Sequence, residues 1–296
     1  MKRIGFIGLG DMGLAMSKNL IKAGFELTGY DLREERLEML EEAGAKRATN
    51  PGAVGVDADA VFIMVMNGKQ VEDVVLGEFG LVNTLPKGST IILTATIEPS
   101  EVKSVSKKIH AAGIEMIDSP VSGGVNGSEA GTLTMMAAAK REIFDANQDV
   151  MGAVGKKIFH VGEEIGMGQT VKAALQALIA TTFAAIFESL VLGAKAGIPG
   201  SVMHEVFTNS AVASPILDNC SRMIMDRKFK DTGSRITTIH KDIGISMNMA
   251  KQNGVAMFTA AAAQELFQSG IALFPDEDNW SVVKLLEQIA GTEVKW

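Results

Sequence analysis

The stretch that most narrows what this chain can fold into is residues 4–13, which read I-G-F-I-G-L-G-D-M-G. They place Gly8, Gly10 and Gly13 in the spacing G-x-G-x-x-G, between an apolar strand-like run and a helical pattern. A second β-rich run follows and ends in Asp31, 18 residues beyond Gly13. Three spaced glycines alone say little, but this setting gives each a mechanical task. Gly8 makes the turn, Gly10 lets the backbone approach a pyrophosphate, and Gly13 lets the helix pack on its strand. The helix N-terminus then turns free N–H groups and a positive dipole toward the anion. Asp11 and Met12, at the start of that helix, are expected beside the same ligand. Asp31 would accept hydrogen bonds from the adenosine ribose and repel the extra phosphate of NADP. NAD is therefore the expected cofactor and NADP the less favoured one, with Arg33 two residues on softening the preference.

Up to about residue 162, short β-rich runs alternate with helical patterns. Strands are predicted over 3–7, 27–30, 60–66, 90–94, 115–118, 133–137 and 157–161, with helices over 13–23 and 34–43 among the early ones. Near-continuous apolar strands separated by helices indicate a parallel sheet covered on both faces. After about residue 165 the strand pattern stops. Helical periodicity takes over, broken at 197–200, at Ser214–Pro215 and over 274–279. The division expected is an α/β domain over 1–163 and an all-α domain over 164–296. In an open sheet of this kind ligands lie beyond the carboxyl ends of the strands. Met66 and Asn67, closing one strand, and Thr96, just past another, should therefore line the cofactor crevice.

The 28 basic and 35 acidic residues give a formal net charge of −7, and no Lys/Arg run interrupts the chain. That balance leaves no electrostatic footprint for nucleic acid or an anionic membrane. The single cysteine, Cys220, cannot form an internal disulfide, so a cytoplasmic setting is expected. At the N-terminus Asp11 and the spaced glycines interrupt what would otherwise resemble a signal peptide. Residues 173–187 carry no charge, but fifteen residues fall short of a span and include Gln176, Thr181 and Thr182. A buried helix is expected there, with subunit contacts that make the protein a homodimer or homotetramer. The four histidines are scattered and no metal-ligand spacing occurs.

Four segments occur in order: the glycine pattern of residues 8–13, Asp-Ser-Pro-Val-Ser-Gly-Gly over 118–124, Gly166-x-Gly168-x-x-x-Lys172, and Lys241-Asp242-Ile243-Gly244. Together they resemble the β-hydroxyacid dehydrogenase family, which includes the 3-hydroxyisobutyrate, tartronate semialdehyde and threonate enzymes. The resemblance covers the whole chain. It implies a Rossmann-type domain followed by a helical one, and hydride exchange between NAD and the 3-hydroxyl of a small hydroxy acid. By position, Lys172 becomes the catalytic residue, Ser122, Gly123 and Gly124 the holders of the substrate carboxylate, and Lys241 a neighbour of nicotinamide and substrate. Chemistry supports the first assignment. An alcohol losing hydride needs a base for its proton, and an ordinary lysine with pKa near ~10.4 needs burial or a nearby cation to serve. Lys172 immediately precedes the uncharged stretch, at a helix start where a purely solvating cation would oppose the dipole.

Gln176, one turn after Lys172, faces the same side and is expected to touch substrate. Relatives commonly carry Asn-Asn where Leu175 and Gln176 stand, Ser-Thr where Ala95 and Thr96 stand, and Phe at position 234, which is Ser here and is followed by Arg235. Ser234 and Arg235 suggest a more polar substrate pocket, whereas Ala95 has lost a hydroxyl, and which acid is used stays open: 3-hydroxyisobutyrate, glycerate, threonate or 2-(hydroxymethyl)glutarate. His240 is the alternative base. A non-catalytic NAD-binding protein and a 6-phosphogluconate-type dehydrogenase are the alternative functions. Lys172 argues against the first, and the lack of an arginine cluster against the second.

Overall fold

The computed structural model describes residues 2–296, which divide into two compact units, one up to Lys172 and the other Ala173–Trp296. The first unit is built on a nine-stranded sheet. Its strands are β1 (Arg3–Ile7), β2 (Glu26–Tyr30), β3 (Lys46–Arg47), β4 (Ala60–Ile63), β5 (Thr90–Leu93), β6 (Glu115–Asp118), β7 (Val121–Ser122), β8 (Leu133–Ala138) and β9 (Gly155–Gly162). Eight of them run in the order β3-β2-β1-β4-β5-β6-β8-β7, and β9 pairs with β8. The first six are mutually parallel. The sheet then changes sense: β8 lies antiparallel to β6 and β7, and β9 parallel to β8.

Between the strands lie α1 (Asp11–Lys22), α2 (Glu34–Glu42), α3 (Pro51–Gly55), α4 (Gly68–Leu76), α5 (Pro99–Ala111), α6 (Gly124–Glu129), α7 (Arg141–Ala146) and α8 (Gln148–Val154). Alternation along the central strands explains why their sequences are apolar throughout. Phe6, Phe62, Ile92 and Ile117 share one core with Met16, Leu20 and Met151. Ile7, Val61, Ile63, Ile91 and Leu93 share another with Val71, Val102 and Ile109. Phe6 and Phe62 sit in register on neighbouring strands and stack with centroids 5.6 Å apart. A strand clothed on both faces needs no polar side.

The second unit contains most of α9 (Met167–Lys195), then α10 (Gly200–Thr208), α11 (Pro215–Met225), α12 (Ile236–Gln252), α13 (Phe258–Leu273) and α14 (Val282–Ala290). Ser214 caps α11, accepting from Leu217 N–H, with Pro215 at the first helical position. The core gathers Phe183, Phe187, Phe267 and Trp280 with Ile224, Ile239 and Ile243. Phe183 meets Trp280 edge-on with centroids 5.3 Å apart. The uncharged stretch over 173–187 thus belongs to a 29-residue helix, long and apolar enough to cross a membrane by length and composition alone. Here Phe183, Ile186, Phe187 and Leu190 are buried in the helical core.

Candidate active site

The glycine loop follows β1 directly. A Cβ on Gly13 would lie 1.9 Å from Gly8 O, so close packing of α1 on the turn requires a glycine there. Gly10 is different. A Cβ there would meet only Arg33 Nη2, at 3.8 Å. The protein's own packing does not demand a glycine at position 10, and bare backbone beside open space is what a pyrophosphate needs. Gly10 is also the N-cap residue of α1, with no side-chain cap to compete for the helix's first N–H groups. The loop therefore fits a dinucleotide.

Asp31, just past β2, has 10% of its side chain exposed. Its Oδ2 accepts from Leu9 N–H at 2.7 Å, and Oδ1 accepts from Arg33 N–H and Arg33 Nε, both at 3.0 Å. Burial raises the Asp31 carboxyl, but the Arg33 guanidinium and the N–H groups of Arg33 and Leu9 outweigh it and hold the group below its ordinary range. Asp11 opens α1 and accepts from Arg36 Nη2 at 2.9 Å. Two acids and two arginines thus pair at the glycine loop and the end of β2, a balance wider than Asp31 alone implies. Met12 packs against the core beside α1. Met66 and Asn67 lie past the end of β4, because the apolar run continues beyond the last paired residue, Ile63. Asn67 is the N-cap of α4 and accepts from Gln70 N–H at 2.9 Å. Met66 is exposed, and Thr96 is half-buried in the segment between β5 and α5.

The start of α9 brings together residues that lie far apart in the chain. Lys172 is only 6% exposed, and Gln169, one turn earlier, is fully buried. Asp118, the last residue of β6, is fully buried as well. Its Oδ2 accepts from Gly166 N–H at 2.9 Å and Gln169 N–H at 3.2 Å, and Oδ1 accepts from Gln169 Nε2 at 2.8 Å. Gln169 also donates from Nε2 to Ala95 O and accepts at Oε1 from Ile97 N–H, both at 3.0 Å. Burial pushes the Asp118 carboxyl up to about 6, partly countered by these hydrogen bonds. Gly168 is wedged in the same place: a Cβ would lie 2.5 Å from both Asp118 O and Met136 O. Asp118 and Gln169 carry no catalytic signature of their own. The available signal was an acid heading the 118–124 motif and a polar residue one helical turn before Lys172.

From Asp118 the chain continues through Pro120 and β7 into Ser122, Gly123 and Gly124. Gly123 and Gly124 turn with φ of 136° and 60°, and both are exposed. In the second unit, Gln176 Nε2 donates to Asp242 Oδ2, and Lys241 Nζ lies 3.0 Å from Asp242 Oδ1. Gln176 and Asp242 are both buried. Ser246 Oγ adds a second tie between α12 and α9, donating to Ala173 O at 2.7 Å. His240, on the same helix as Lys241, is paired with Gln268 Oε1 at 2.9 Å. Ser234 Oγ accepts from Asn279 Nδ2 at 2.7 Å, and Arg235 precedes α12 with its side chain exposed.

A sheet with a glycine cradle at its first βα turn and an acid after β2 defines a nicotinamide-dinucleotide oxidoreductase class of fold. Comparison with known proteins gives the family. The profile described as the NAD binding domain of 6-phosphogluconate dehydrogenase matches residues 3–162. That of the NAD-binding of NADP-dependent 3-hydroxyisobutyrate dehydrogenase matches residues 166–286. The chain is 34% identical over 294 residues to 2-(hydroxymethyl)glutarate dehydrogenase of Eubacterium barkeri, covering 99% of this chain and 97% of that protein. It is 33% identical over 289 residues to L-threonate dehydrogenase of Haemophilus influenzae, covering 97% and 96%. A crystal structure of 3-hydroxyisobutyrate dehydrogenase from Salmonella typhimurium superposes with a TM-score of 0.88 at 28% identity, over 96% of this chain and all of that one. The chain belongs to the β-hydroxyacid dehydrogenase family and is an NAD-dependent 3-hydroxyacid dehydrogenase.

Proposed function

We propose that Lys172 carries the proton in this reaction. When bound, NAD supplies the hydride acceptor, and NADH returns the hydride in the reverse direction. The observation that carries the assignment is the near-complete burial of Lys172 at the start of α9, one turn after a glutamine fixed by three side-chain hydrogen bonds. A cation is costly to bury without a task, and proton exchange with a substrate hydroxyl is such a task. In oxidation the amine of Lys172 takes the hydroxyl proton as the C–H hydride leaves. In reduction the ammonium returns it. Ser122 with the Gly123–Gly124 turn offers a hydroxyl and exposed backbone for a carboxylate. In the second unit, Gln176 and Lys241 are the polar groups assigned to substrate and cofactor by their positions in the sequence. Gly8, Gly10, Asp11, Met12, Gly13, Asp31, Met66, Asn67 and Thr96 form the cofactor-facing set.

The test is NADH formation over 3-hydroxyisobutyrate, glycerate, L-threonate and 2-(hydroxymethyl)glutarate, with Lys172→Ala alongside. One acid should turn over, and the variant should lose about 10²–10⁴-fold in kcat while still binding NADH. Turnover undiminished in Lys172→Ala would remove the assignment. Of the four acids we favour one with a polar or acidic second end. The similarity to the 2-(hydroxymethyl)glutarate and L-threonate enzymes and the exposed Arg235 beside α12 support that choice. A homo-oligomer in the cytoplasm completes the reading. Exposed Leu178 and Leu192 on α9, and the buried single thiol of Cys220, are in keeping with it.

A further inference from the structure

We propose that Asp118 is a positioning residue for the proton-transfer step: together with Gln169 it clamps the first turn of α9 to the ends of β5 and β6, and so fixes where Lys172 is presented. The inference rests on the reading of Lys172 as the proton carrier.

The first turn of any helix leaves N–H groups without partners, and a local Ser, Thr, Asp or Asn normally satisfies one of them. Residues 166–169 read Gly-Met-Gly-Gln and supply no such cap. The cap comes instead from β6, where Asp118 Oδ2 takes both Gly166 N–H and Gln169 N–H. Gln169 ties in the third element. Its Oε1 receives Ile97 N–H, and its Nε2 reaches both Ala95 O and Asp118 Oδ1. That arrangement fixes the orientation of the glutamine amide: turning it over would set Nε2 against Ile97 N–H and Oε1 against two acceptors. Both oxygens of Asp118 must therefore accept. An asparagine would present its NH₂ to an N–H on one side or the other.

A buried carboxylate is a costly means of joining three segments, since burial penalises the charge. What it supplies is directionality. Lys172 lies one turn beyond Gln169 on the same helical face, so an angular error at the first turn passes directly to its amine. The same aspartate heads the segment leading to Ser122, Gly123 and Gly124, which places both halves of the candidate site on one anchor. Gly168 allows the fit, since a Cβ there would collide with Asp118 O.

The experiment compares Asp118→Asn, Gln169→Glu and the double exchange in the full-length enzyme, using the acid of the panel that turns over fastest. In Asp118→Asn, kcat should fall about 10²-fold, as expected for a misplaced reacting group, while the KM for NAD and the NADH-binding stoichiometry stay within about twofold. The double exchange again pairs a donor at 118 with an acceptor at 169. Its kcat should exceed the product of the two single effects by about tenfold, although Ala95 O loses its donor. Should Asp118→Asn not fold, Gln169→Met keeps the carboxylate and its backbone donors and should still lower kcat about tenfold at full NADH stoichiometry. Three results would overturn the proposal: an unchanged kcat in whichever single variant folds, a kcat loss matched by lost NADH stoichiometry, or a double exchange equal to the product of the singles. The Lys172→Ala control separates the two readings. Loss there with an unchanged Asp118→Asn removes only the clamp, and undiminished turnover in Lys172→Ala removes both.

Discussion

At residue 31 the chain carries an acid whose charge its own neighbour answers. The Arg33 guanidinium donates to both oxygens of Asp31, and Arg36 donates to Asp11. Removing the acid leaves guanidinium groups where a 2′-phosphate would lie, so Asp31→Ser should shift the kcat/KM ratio of NADP to NAD upward by at least about tenfold, near 1.4 kcal/mol. Steady-state rates with both dinucleotides measure this, and an unmoved ratio would show that other groups read the ribose. Asp118 gives a prediction of opposite character. Its folded value, about 6, lies above the ordinary 3.8, so between those values the native state holds a proton that the unfolded chain has lost. The stability contribution of this group is complete below about pH 4 and is lost as pH rises through about 6, by an amount on the order of 3 kcal/mol. Urea titrations of wild type and Asp118→Asn at pH 4.5 and 7 should show the wild type losing more stability across the interval. Sequence reading reached Asp31 because its distance from the glycines is itself a signal. It did not reach Asp118 or Gln169 as working residues, because their importance arises from five hydrogen bonds between residues 48 to 74 positions apart, and no local spacing records those.

Among the elements, apolar runs and helix punctuation were the legible part. The helical breaks read at 197–200, Ser214–Pro215 and 274–279 coincide with the end of α9 at Lys195, the cap of α11 at Ser214 and the end of α13 at Leu273. Three things were not legible. β3 and β7 are two-residue strands, too short for any period to show. The reversal of β8 is a matter of chain direction, which side-chain alternation does not encode. The strand expected over 60–66 overran because Met64, Val65 and Met66 are apolar yet follow the last paired residue, Ile63. The start of α9 is also where a single methyl group should matter most. Gly168→Ala would force its Cβ to 2.5 Å from two carbonyl oxygens, so we expect a loss of about 1–3 kcal/mol and a lower kcat. Gly244→Ala, on α12 where nothing lies within 4 Å of an added Cβ, is the control and should leave stability unchanged or slightly raised.

For the molecule as a whole, the outer surface of the helical unit carries the next test. Leu178 and Leu192 on α9 and Val206 on α10 are 64%, 72% and 57% exposed, more apolar surface than a lone helical unit needs to show. Light scattering should give a dimer or tetramer, and Leu192→Asp should lower the mass; a wild type that scatters as one chain would remove the oligomer from the reading. The division between the units raises a different matter. Sequence periodicity set the change of architecture at 163/164, whereas the compact units meet at 172/173. The intervening residues include both backbone donors and the glutamine that surround Asp118. On a ribosome, then, the last strand of the sheet can emerge while the aspartate of β6 still lacks its counterparts. The nucleotide-binding half becomes a finished object only when the opening turn of the next helix has been synthesised, so the order of translation makes the lysine's own segment the final piece of the half it serves.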